Sequence, residues 1–169
     1  MKIASLKLFF VFCSLILSNF ALSGPYLNSD TPIHQIENVH RQAEAWATCA
    51  ATWTILSSVA EEGSPKAEHF GQVANGAKMA IAMTYISDLP DDVSPERFRS
   101  TYKFTQTAMD AMTETVYTSI MADMGSKEGD IWVEDLFSTR AVCEQNLDGQ
   151  QMYVDLWRNL ATSGILQFD

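Results

Sequence analysis

The chain reads as an all-α protein, an up-down-up-down four-helix bundle, on three observations. Apolar residues recur at alternating steps of three and four, several of these runs open on a capping residue followed by proline, and strand-type alternation is almost absent. Short turns between long helices make antiparallel neighbours, and a bundle is the economical way to bury one face of each.

The segment ahead of the first helix has a different character. Lys2 and Lys7 give a charged start, Leu8 to Leu17 an apolar run too short to span a bilayer, and Ala21-Leu22-Ser23 small residues at the first and third places. That order is the order of a secretory signal peptide, residues 1–23, with cleavage expected before Gly24. Phe12 precedes Cys13 where a small residue would be required for lipid attachment. Residues 24–169 then form one exported domain, periplasmic or secreted, and not membrane-embedded after cleavage.

Each helix has its own signals. Asp30-Thr31-Pro32 opens the first, whose stripe is Ile36, Val39, Ala43, Trp46, Ala50, Trp53 and Leu56, and it ends near Gly63. Ser64-Pro65 opens the second, with Phe70, Val73, Ala77 and Ile81 inward, and Leu89-Pro90-Asp91-Asp92 breaks it. Ser94-Pro95-Glu96 opens the third, with Phe98, Tyr102, Thr105, Met109, Met112 and Val116 on its stripe, and Gly125 to Gly129 is a turn. A fourth helix from Asp130 carries Val133, Leu136, Phe137 and Ala141 to Cys143, and resumes through Tyr153, Leu156, Trp157 and Leu160 after a kink or break at Gly149.

Cys49 and Cys143 are the two cysteines of the expected mature chain, and an even count outside the cytoplasm predicts a disulfide. Neither stands in a Cys-x-x-Cys pair of redox type. Cys49 precedes Glu61 and Cys143 follows Asp130 by nearly the same number of residues, which sets them about 18 and about 20 Å above one end of the bundle. They meet if helices one and four are adjacent and antiparallel.

Charge and motifs then narrow the function. The net charge is −10, and loss of Lys2 and Lys7 with the signal segment makes it −12. Sparse, scattered basic residues argue against nucleic acid as a partner, since polyanions are held by clustered Lys and Arg. No nucleophile elbow, zinc-protease pair, phosphate loop or dinucleotide fingerprint occurs. Glu37-Asn38-Val39-His40 matches one half of a di-iron motif, but the sequence has no second Glu-x-x-His. His34 and His40 lie about 120° apart on a helix and cannot chelate together. No cofactor is expected, and an enzyme built on a pair of the abundant carboxylates is the reading that no motif supports.

The methionines are the unusual feature, with Met79/Met83, Met109/Met112 and Met121/Met124 spaced by three or four. Met79 falls opposite Phe70 on the second helix, so Met79, Met83 and Ile86 make its second half apolar on every side. Such a segment is enclosed by neighbours or exposed as an adaptable surface for a partner. An apolar tail with Ile165, Leu166 and Phe168 ends near the same end of the bundle and either covers that face or joins it. The expectation is a non-enzymatic exported protein, a monomer or weak dimer, that binds a periplasmic protein through Met79, Met83, Ile86 and Phe168, as an inhibitor, immunity or accessory factor would. The alternative is a Cu(I) site of Met79, Met83 and His40, since thioethers and imidazole suit that ion.

Overall fold

The computed structural model describes residues 26–27 and 30–166. The expected signal segment and Phe168 lie outside them. The described chain is helical: a single 3-10 turn, Ile33–Gln35, precedes α1 (Val39–Val59), α2 (Pro65–Ser87), α3 (Pro95–Ser126), α4 (Gly129–Gln145) and α5 (Leu147–Thr162). No helix among the described residues is long and apolar enough to cross a membrane.

Two of the expected starts are where the capping rules put them. Ser64 and Ser94 accept hydrogen bonds from the backbone N–H groups of Ala67 and Arg97, with Pro65 and Pro95 in the first turn. The first start is displaced. Asp30-Thr31-Pro32 launches only the 3-10 turn, and α1 begins seven residues after Pro32, where Asn38 accepts from Arg41 N–H at 3.0 Å.

α1 is the centre of the molecule, not one wall of a ring. Every residue from Ala45 to Trp53 is buried, and α2, α3 and α4 all pack on it. Its alanines at 43, 45, 47, 50 and 51 make this possible, because small side chains let neighbouring backbones approach from several sides. α2 answers with Gly71, Ala74, Ala77 and Ala80; a Cβ at Gly71 would lie 3.6 Å from the Ser57 hydroxyl. The two helices are antiparallel, joined near one end by Ser57 Oγ donating to Ala67 O and near the other by His40 and Tyr85.

The break in the last helical stretch falls at Asn146, not at Gly149, and the two pieces have different partners: α4 lies on α1, α5 on α2. Asn146 makes the break useful. Its Oδ1 accepts from Ile33 N–H at 2.7 Å, and its Nδ2 donates to Val142 O at 2.8 Å, while Gln42 Nε2 donates to Ile33 O at 3.0 Å. Side chains from α1 and the α4/α5 junction thus satisfy both backbone groups of the fully buried Ile33, as a buried peptide unit requires.

Cys49 and Cys143 form the expected disulfide, with Cα atoms 5.5 Å apart across α1 and α4. The expected phase of α4 is only partly right. Trp132, Leu136 and Cys143 face the core together with the polar Asp135 and Thr139, leaving Val133 and Phe137 exposed and Ala141 beside them. The reason is that the two polar residues are satisfied inside: Thr139 donates to Asp135 O, and Asp135 meets Lys127.

Candidate functional site

The face expected to meet a partner is closed. Met83 is fully buried, Ile86 is 7% exposed and Met79 is half-buried. α1, α3 and α5 all pack against α2, so its second half is apolar on every side because it is covered on most of them. This corrects the outward-facing surface of Met79, Met83 and Ile86: the enclosed alternative holds. The copper arrangement loses its geometry with it, because the Met83 thioether is sealed in the core. His40 is engaged elsewhere, its Nδ1 3.1 Å from Tyr85 Oη.

Carboxylates do converge at one place, around a lysine. At the α3/α4 turn, Lys127 Nζ lies 3.0 Å from Asp123 Oδ2 and 2.8 Å from Asp135 Oδ2, and also 5.0 Å from the ring centre of Tyr26. The hydrogen bond to Asp135 holds the ammonium above the ordinary lysine range, against the effect of burial. Burial pushes the Tyr26 phenol up to about 12, Lys127 acting in the opposite direction and Asp123 adding to the rise. The Tyr26 N–H donates to Thr139 Oγ1 at 2.9 Å, so this cluster pins the N-terminal segment to α4. A carboxylate pair neutralised by a resident ammonium is an anchor and a poor acid–base pair. Among the described residues no group of three His, Cys, Asp or Glu side chains is placed to hold a metal ion.

Two open concavities flank α3. One, of about 530 Å³, lies where α1, α2 and α3 meet and contains the Lys78–Asp110 ion pair at 3.0 Å, with Thr54, Glu114 and Tyr117 around it. The other, of about 520 Å³, runs between α1 and α3. Its walls are Met112, Val116 and the Tyr26 ring, and its polar groups are Glu44, Thr48 and Thr115. Glu44 is the one carboxylate in its lining. Tyr85 is associated with the Glu44 side: burial first, then the charge of Glu44, raises its phenol, which donates toward Met112 Sδ at 3.9 Å.

Some of this cleft has a signal in the sequence. Met112 and Val116 belong to the predicted α3 stripe, which grazes the core and leaves part of each side chain uncovered. Glu44 and Tyr26 had none, since one is an ordinary exposed acid of α1 and the other precedes the first helix. No family model matches this chain, and neither the curated proteins nor the solved structures include one significantly similar to it.

Proposed function

We propose that this chain is an exported, non-enzymatic protein that acts by binding another protein in the periplasm, as an inhibitor, immunity or accessory factor would, and that the α1/α3 cleft is its contact surface. The cleft supports this reading because it joins apolar walls to one carboxylate and hydroxyls in a single open groove, the combination that fixes an occupant by packing and orients it by a few polar contacts. It takes over the role that the buried face of α2 cannot fill. In this reading the protein is a monomer or weak dimer when alone, and the disulfide belongs to an oxidising compartment.

A photo-crosslinking residue in place of Ser119, which lines the cleft and is exposed, tests the proposal in cells that export the protein. One discrete polypeptide adduct is expected from that position, none from the same residue at exposed Met152 on α5, and loss of the adduct when Thr115→Trp fills the groove. No adduct, or equal capture from both positions, overturns the reading.

A further inference from the structure

We infer that the α1/α3 cleft receives a lysine or arginine side chain of the partner, with its aliphatic stem along Met112 and Val116 and its cation at the Glu44 carboxylate. This rests on the cleft being the contact surface. Long basic side chains are amphipathic, burying a hydrocarbon stem while the head stays polar, and the cleft has that same division along its length.

The charge distribution carries the argument. None of the ion pairs among the described residues uses Glu44. Arg41, one turn earlier on α1, makes no ion pair with it, and His40 is turned to Tyr85. On its Tyr26 side the neighbouring ammonium, Lys127, is already paired with Asp123 and Asp135. Glu44 is therefore the cleft's one charged lining side chain without an ion-pair partner among the described residues, and the chain as a whole carries −10. The second concavity differs, since Lys78 already occupies it as a resident cation paired with Asp110.

Other occupants fit less well. A neutral apolar side chain would cover Glu44 without pairing it, and an uncompensated carboxylate removed from water is costly. An anion meets the like charge of Glu44. A bare metal ion finds one carboxylate and a few neutral hydroxyls, whereas a hard cation takes about six or more oxygens with several carboxylates or waters among them. The hydroxyls of Thr48 and Thr115 add acceptors around an ammonium or guanidinium, although Thr48 Oγ1 itself already donates to Glu44 O at 2.9 Å.

The test uses the protein as exported and purified from cells, isotope-labelled, titrated at low salt with n-hexylammonium and n-hexylguanidinium and, as controls, n-hexanol and hexanoate. Saturable amide shifts at Thr48, Thr115 and Ser119 are expected with the two cations and not with the controls. Glu44→Gln should weaken the cations by up to about fivefold, the range of a solvent-exposed ion pair, and leave the rest of the spectrum unchanged. Equal saturation by hexanol, or cation binding indifferent to Glu44→Gln, overturns the inference. So does failure of both cations to bind. If Ser119 still captures a partner in that event, the cleft remains the contact surface and only the basic occupant is lost.

Discussion

His34 lies against Gly149 so closely that a Cβ on that glycine would stand 2.7 Å from the imidazole Nδ1 and 3.2 Å from its Cγ. The 3-10 turn that carries His34 is held to the start of α5 by the Ile33–Asn146 hydrogen bond, so the ring has little room to retreat. Gly149→Ala should therefore destabilise the protein by about 1–3 kcal/mol through overpacking, despite the roughly 1 kcal/mol that alanine gains in a helix. Gly125→Ala in α3 is the control: nothing lies within 4 Å of its new Cβ, and the propensity gain should show as a small stabilisation. Urea melts of both variants decide the matter; a stabilising Gly149→Ala would show that the turn does not sit on α5 as described.

The glycine illustrates what the sequence could and could not reveal. Within a helical run Gly149 reads as a break, because local propensity is all that one strand of text displays; its reason is a residue more than a hundred positions away. Asn146, the real break, carries no breaker signal. The same limit explains α4, where Asp135 and Thr139 look like surface residues until Lys127 is placed beside them. By contrast, the Ser-Pro starts of α2 and α3 and the apolar stripe of α3 are local, and they were legible. So was the cysteine pairing, because helix lengths translate directly into height. The cleft was not, since Glu44 and Tyr26 reach it only through the packing of α3 on α1.

Met83→Asp separates a core residue from a surface one. With Met83 fully buried, an aspartate there would have no counter-charge provided for it. The expected loss is several kcal/mol, on the scale of burying an unpaired polar group, with a fall in the denaturation midpoint or failure to fold at 37 °C. Met124→Asp, at an exposed methionine of α3, should leave the midpoint within about 0.5 kcal/mol. A Met83→Asp protein as stable as the parent would return Met83 to the surface.

Removal of the disulfide should be felt across the whole fold. Cys49 and Cys143 are 94 positions apart and both buried, and they tie α4 directly to the central helix. Cys49→Ala/Cys143→Ala is expected to cost about 2–5 kcal/mol. Intact-mass measurement of the protein before and after reduction should show a gain of two hydrogens on reduction. Free thiols at Cys49 and Cys143 in the native protein would contradict the α1/α4 contact.

Lys127 links α3, α4 and the N-terminal segment, and both its pairing and its proton can be tested. Its side chain is 14% exposed and that of Asp135 9%, whereas Asp123 is 28% exposed and has better access to water. Lys127→Met leaves Asp135 inside without a counter-charge. Breaking a buried pair from one side costs about 3–5 kcal/mol when burial is complete, and about 2–3 kcal/mol is expected at this partly wetted site. The double variant Lys127→Met/Asp135→Leu should recover most of that loss, because it removes the stranded carboxylate as well. The pH dependence has a definite sign. Lys127 and Tyr26 both hold their protons more tightly in the folded chain than in the unfolded one, the phenol titrating at about 12. Their contribution is fully present below the unfolded values of about 10 to 10.4 and is lost as pH rises through the folded ones. Stability measured by urea melts should therefore decline above about pH 10, and less steeply in Lys127→Met, where the parts of the two raised phenols, Tyr26 and Tyr85, remain. An unchanged alkaline slope in that variant, together with less than about 1 kcal/mol lost at pH 7, would mean that Lys127 is an ordinary surface lysine and that the N-terminal segment is anchored by other contacts.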